Sequence, residues 1–171
     1  KTMLFFLKKN KKTTLRVRKI LKFGYFHRTK FEKKNGNFRW GKWGFCTKFG
    51  IKCFMAFVFH ALKNKENILI YGDNDVDGMA GTVLLTEFLR FIGAKAFFYI
   101  PNRASLKQSL MHNALDYAVK NECKLVITVD CGISNAEAAA HGLELGFDTI
   151  ICDHHSVPEK LPEAIIFHPQ V

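Results

Sequence analysis

From Asn67 onward, short continuous apolar runs alternate with stretches of helical periodicity. That alternation narrows the possible folds more than any other feature of the 171 residues. Asn67-Ile-Leu-Ile-Tyr-Gly72 reads as a fully buried strand, followed by a helix from Gly78 to Ile92 with Val83, Leu84, Leu85, Phe88, Phe91 and Ile92 at helical spacing and Gly93 as its stop. A second strand, Ala96 to Ile100, ends at Pro101. A helix over 105–121 follows, with Leu110, Ala114, Leu115 and Ala118 on one face. The third strand is Lys124 to Asp130, and Ser134 is expected to cap a helix running to Leu145. Phe147 to Cys152 makes a fourth strand and Ala164 to Phe167 a fifth. Strands apolar along their whole length, each followed by a helix, predict a parallel sheet covered on both faces. With right-handed crossovers the expected fold is a three-layer α/β/α doubly wound sheet of five strands, ordered 2-1-3-4-5, with its switch point between strands one and three.

The acidic residues concentrate where such a sheet binds ligands. Three clusters fall at the C-terminal ends of strands one, three and four: Asp73-Asn-Asp75-Val-Asp77-Gly78, Asp130-Cys-Gly132 and Asp153-His154-His155. In a doubly wound sheet these ends share one edge, so residues about eighty positions apart meet there. So many carboxylates at one edge repel each other and resist ionisation unless cations join them. Carboxylates with imidazole and no thiolate suit Mn²⁺ or Mg²⁺, and two ions roughly 3.5–4 Å apart can clamp a phosphate and activate a water. Each cluster has a plainer reading as a turn, a strand end or a helix cap. A calcium loop starting at Asp73 fails, because its twelfth position is Leu84 rather than a bidentate Glu. The metal reading rests on all three clusters falling at strand ends.

Charge divides the chain. Residues 1–60 hold 17 Lys and Arg against the single acid Glu32, a balance of +16, whereas the remainder carries −5. Eleven of the 17 Phe also lie in those first 60 residues. The expected organisation is therefore a basic, aromatic-rich extension over 1–62, without a readable period, and an α/β domain over 63–171. A helix over 54–62 is expected to lead into the first strand. Lys and Arg neutralise phosphates, and Phe and Trp can stack on bases, so the extension suits single-stranded nucleic acid. The five cysteines form no CxxC pair, and Cys123, Cys131 and Cys152 sit in or beside strand-like runs as small buried hydrophobes, pointing to a reducing, cytoplasmic setting. Cys53 to Leu62, the longest apolar run, is about half a membrane span, and no cleavage site follows the early Leu-Phe-Phe-Leu. Because the chain starts at Lys1 rather than Met, it reads as a fragment or truncated product.

The three acidic clusters, with Tyr99-Ile-Pro-Asn-Arg103 and Val129-Asp-Cys-Gly-Ile-Ser134, resemble the DHH phosphoesterase family, named for the motif present here as Asp153-His154-His155. The resemblance runs from Lys65 to Val171 and is greatest to the family's single-stranded-DNA exonucleases, which digest from the 5′ end. It implies that Asp75 and Asp77 each bind one of two ions, that Asp130 bridges them, and that His154 is a ligand of the second. It further implies that Asp153 orients the histidines, that His155 contacts phosphate or supports a ligand, that Asp73 supports the metal loop, and that Arg103 grips a phosphate through its paired donors.

Three departures accompany the resemblance. The family's acidic-Gly-Tyr-Gly stretch after Arg103 is here Ala104-Ser-Leu-Lys-Gln-Ser-Leu110. Its fourth metal-ligand Asp and its substrate-binding second domain fall beyond Val171, so little or no nucleotide release is expected from this chain by itself. Residues 1–60 do not resemble the family's usual N-terminus and read equally as an out-of-frame segment. Family phosphodiesterases for short oligonucleotides or cyclic dinucleotides are an alternative, although they more often carry His where Tyr71 stands. A non-catalytic nucleic-acid binder or a decayed remnant is the alternative of another class.

Overall fold

The computed structural model describes residues 33–34, 37–38, 47–102 and 110–170, with side-chain surroundings from Phe54 onward. Two compact units divide the chain at Ala56 and Phe57. In the first unit Lys33–Lys34 pairs antiparallel with Asn37–Phe38. Arg103, Trp40 and Trp43, and most of the basic extension, lie outside the described residues.

Helix α1, Thr47–Lys63, crosses the division and buries Phe57, Val58 and Ala61 in the second unit. Strand and helix then alternate as β1 (Asn67–Gly72), α2 (Val76–Phe91), β2 (Lys95–Tyr99), α3 (Leu110–Lys120), β3 (Cys123–Val129), α4 (Ala136–Glu144), β4 (Asp148–Cys152) and β5 (Ile165–Phe167). The sheet order is β2-β1-β3-β4-β5 and every neighbour is parallel, which is the order expected from the sequence. Every residue from Ile68 to Gly72 is buried, as a strand covered on both faces requires.

Side-chain alternation distributes the helices. Leu69, Tyr71 and Val126 pack with Met111, Ala114, Leu115 and Ala118 of α3 and with Ala138 of α4. Gly72 and Val129 point to the opposite face, against Thr82 and Gly81 of α2. Cys123 is buried, Cys131 and Cys152 are half-buried, and all three are free thiols. Burial pushes the thiols of Cys123 and Cys152 up to about 11, so both stay protonated and inert.

Two expectations need correction. The stripe of Val83, Leu84, Phe88 and Phe91 is not the buried face of α2: these side chains are 57, 75, 48 and 88% exposed. The buried positions are Gly78, Thr82, Thr86 and Leu89. Close approach beside Gly72 decides this, because a Cβ there would collide with Thr82 Oγ1, so small residues face the sheet over the first turns of the helix and Leu89 is buried further along. Thr86 satisfies its hydroxyl within the helix by donating to Thr82 O at 2.7 Å. The second correction concerns Ser134, which does not cap α4. Asn135 occupies the cap position and makes no side-chain cap bond, because the preceding Gly132–Asn135 turn, closed by Asn135 N–H to Gly132 O at 3.0 Å, delays the helix by one residue.

Candidate metal centre

The first acidic segment leaves β1 as a folded turn. Asp73 N–H still pairs with Val129 O at 3.2 Å, and the Asp73 carboxylate accepts from Asn74 N at 2.7 Å, so the chain bends at once toward α2. Gly78 permits the bend: a Cβ there would lie 2.7 Å from the carbonyl oxygen of Asp73. Asp75 caps α2, its Oδ1 accepting from Gly78 N at 2.9 Å, and Asp77 stands in the first helical turn. The helix thus begins at Val76, two residues before the sequence-based start, because the first acidic cluster is itself the cap.

Asp130 follows β3 with φ of 61°, a left-handed backbone that is uncommon outside Gly. Its N–H donates to Cys152 O at 2.8 Å, extending the β3–β4 ladder by one residue. The residue is 8% exposed, and neither of its carboxylate oxygens has a hydrogen-bond partner among the described residues. His154 Nε2 lies 2.8 Å from Asp130 Oδ1, within ion-pair distance but outside hydrogen-bond geometry. Burial, then the charges of Asp77 and Asp75, push the Asp130 carboxyl above its ordinary range, with His154 and His155 offsetting part of that. A buried, strained carboxylate with unmatched acceptors is the donor a divalent cation satisfies.

Asp153 is the opposite case. It is buried, and its two oxygens accept from Ile133 N (2.8 Å), His154 N (2.7 Å) and His155 N (3.0 Å), with His155 Nδ1 at 2.7 Å. Burial alone would raise its pKa, but the bonds from His155, Ile133 and His154 outweigh burial and hold the carboxyl below its ordinary value. The hydrogen bond to Asp153 raises His155 in turn, and the two imidazoles stack with centroids 4.7 Å apart.

These ties bring two overlapping groups together. Donor atoms of Asp75, Asp77 and Asp130 lie within 4.8 Å of one another, and so do those of Asp130, His154 and His155. Asp130 is common to both groups. Asp73 and Asp153 stand beside them through backbone-directed bonds, and Arg103 falls outside the described residues. Tyr71 is 4% exposed and stacks on Tyr99, so its ring belongs to the core. Sequence reasoning missed His168, whose Nε2 meets the carbonyl of His155 at 2.7 Å, and the amide of Ile133 on Asp153; neither leaves a pattern in the sequence.

Fold and cluster together define an α/β protein with carboxylates and imidazoles gathered at the C-terminal edge of a doubly wound sheet. The sequence matches the model of the DHH family, N-terminal domain, over residues 67–171, and the chain belongs to that family. It is 37% identical over 111 residues to the single-stranded-DNA-specific exonuclease RecJ of Bacillus subtilis, covering 64% of this chain and 14% of that protein. The Thermus thermophilus RecJ is 32% identical over 121 residues, 70% of this chain and 18% of the relative. Among solved structures, RecJ from Thermus thermophilus in complex with Mn²⁺ superposes with a TM-score of 0.61 at 30% identity, over 71% of this chain and 17% of that one. An exonuclease RecJ bound to manganese gives 0.65 at 30% identity, over 71% and 31%. The chain therefore spans less than a third of each of these proteins.

Proposed function

We propose that this chain carries the two-ion centre of a DHH phosphodiesterase that hydrolyses single-stranded DNA from the 5′ end. The observation that supports it most is Asp130, which belongs to both donor groups and whose carboxylate oxygens accept no hydrogen bond among the described residues. Asp75 and Asp77 would each serve one ion, Asp130 both, and His154 the second, with Mn²⁺ or Mg²⁺ as the cations. When bound, such ions lower the pKa of water and offset charge on phosphoryl oxygens. The manganese carried by the two similar RecJ structures favours Mn²⁺.

The other residues position and donate. Asp153 ties the His154–His155 turn to the amide after Gly132, so the β4 end and the Asp130 loop are joined by its carboxylate. His155 gives Nδ1 to Asp153, which favours its protonated form and leaves Nε2–H to donate to a phosphoryl oxygen. Asp73 supports the turn that presents Asp75, and Arg103 is the proposed second phosphate contact. The compartment is proposed as the cytoplasm; among the described residues no helix is long and apolar enough to cross a membrane.

Single-turnover assays on 5′-phosphorylated single strands, with protein in excess, test this reading. Slow nucleotide release with Mn²⁺ is expected, abolished by EDTA and by Asp130→Ala. Mn²⁺-dependent release that Asp130→Ala leaves unchanged contradicts the assigned centre, and equal release from blunt duplex contradicts the preference for single strands.

A further inference from the structure

Asp130 holds its left-handed backbone at the start of a four-residue loop that is tied down at several points. Asp130 N–H goes to Cys152 O, Gly132 O accepts from Asn135 N, and Ile133 N–H goes to Asp153. The remaining tie comes from within β3. Thr128 Oγ1 donates to Cys131 O at 2.6 Å, and Thr128 is fully buried. The ring closed by this bond contains Val129, Asp130 and Cys131, so the dihedrals of Asp130 cannot relax without breaking it. Gly132 interlocks with the same hydroxyl. Its φ is 108°, and a Cβ there would lie 2.8 Å from Thr128 Oγ1 and 3.3 Å from Thr128 Cγ2. Hydroxyl and glycine fit each other, and both flank Asp130 at a distance of two residues.

We propose that Thr128 is a positioning residue for cation binding: its hydroxyl locks the 130–132 turn and so aims the Asp130 carboxylate into both donor groups. Nothing in a strand requires a hydroxyl at this position. The neighbouring inward positions Val126 and Ile127 are aliphatic, and a valine, similar in shape to Thr128, would lack the hydroxyl that meets Cys131 O. A buried hydroxyl at 2.6 Å from the carbonyl next to a strained ligand has the form of the outer bonds that fix metal ligands in other proteins. The inference rests on the metal reading of the cluster.

Mn²⁺ titration calorimetry on the 171-residue chain, Thr128→Val and Thr128→Ser separates the two ideas, with metal-free thermal unfolding in EDTA run alongside. Thr128→Val should bind Mn²⁺ about tenfold more weakly, and Thr128→Ser, which keeps the donor, should stay within about threefold of the parent. A purely structural role would shift the unfolding of Thr128→Val while leaving the affinity of the folded protein unchanged. Parent-like affinity in Thr128→Val, or equal losses in both variants, overturns the positioning role. A parent chain that binds no Mn²⁺ overturns the metal reading itself and this inference with it.

Discussion

Asp130 and Asp153 are buried carboxylates on adjacent strand ends, and the fold treats them in opposite ways. Asp153 accepts three amides and an imidazole, and its depressed pKa means its stabilisation is complete above the unfolded Asp value near 3.9. That contribution is lost as pH falls below about 4 through the lower folded value. Asp153→Asn should therefore lower stability by about 2 kcal/mol at pH 7, as a urea midpoint in EDTA would show. The gap to the parent should narrow at pH 3, and the His155 titration followed by NMR should move down. Asp130 is raised, so what it contributes to metal-free stability is present at low pH and lost as pH rises through its folded value. Asp130→Asn is then expected to raise the metal-free urea midpoint at pH 7 while weakening Mn²⁺ binding. A lowered midpoint would mean that the carboxylate is satisfied without a cation. The carboxylates at both positions were legible as charges at strand ends. The bonds from Ile133 and Thr128 were not, because they depend on the left-handed turn at Asp130, which no residue pattern announces.

Among the elements, the strands were readable because β1 and β3 carry unbroken apolar runs, Ile68 to Tyr71 and Leu125 to Ile127, as a sheet covered on both faces requires. Helix α2 shows where periodicity misleads. Its apolar stripe is real, yet the side toward the sheet is the one with Gly78, Gly81, Thr82 and Thr86, chosen by the space available beside Gly72. Two substitutions separate these faces. Leu89→Ala, at a fully buried position, should cost about 2–5 kcal/mol. Phe91→Ala, at 88% exposure, should change the stability read from urea unfolding by less than about 0.5 kcal/mol. Comparable losses in the two variants would contradict the assigned face. The end of α3 supplies a prediction of the other sign, since Glu122 sits at φ 52° where a side chain is disfavoured. Glu122→Gly should stabilise the protein by about 1 kcal/mol in the same assay.

At the scale of the whole molecule, the parallel sheet makes neighbours of three segments that the sequence keeps apart, and the register of β1, β3 and β4 sets their spacing. The strand order was legible because few right-handed arrangements of five parallel strands exist. The shared role of Asp130 is implied by family resemblance, and Asp130 is the residue common to the two donor groups. The basic extension stands apart from this logic. If its 17 cationic residues contact single-stranded DNA, affinity should fall with salt at a log–log slope near −0.7 per phosphate contact. Trp40→Ala and Trp43→Ala should leave affinity unchanged, whereas a slope-neutral loss above about 1 kcal/mol for either would reveal rings held for stacking. The most direct test of the central claim is the stoichiometry of Mn²⁺ binding by calorimetry, in the parent and in Asp75→Ala, His154→Ala and Asp130→Ala. The account predicts two ions per parent chain, one lost from each of the first two variants, and both lost from Asp130→Ala. Retention of either ion at parental affinity in Asp130→Ala would contradict it.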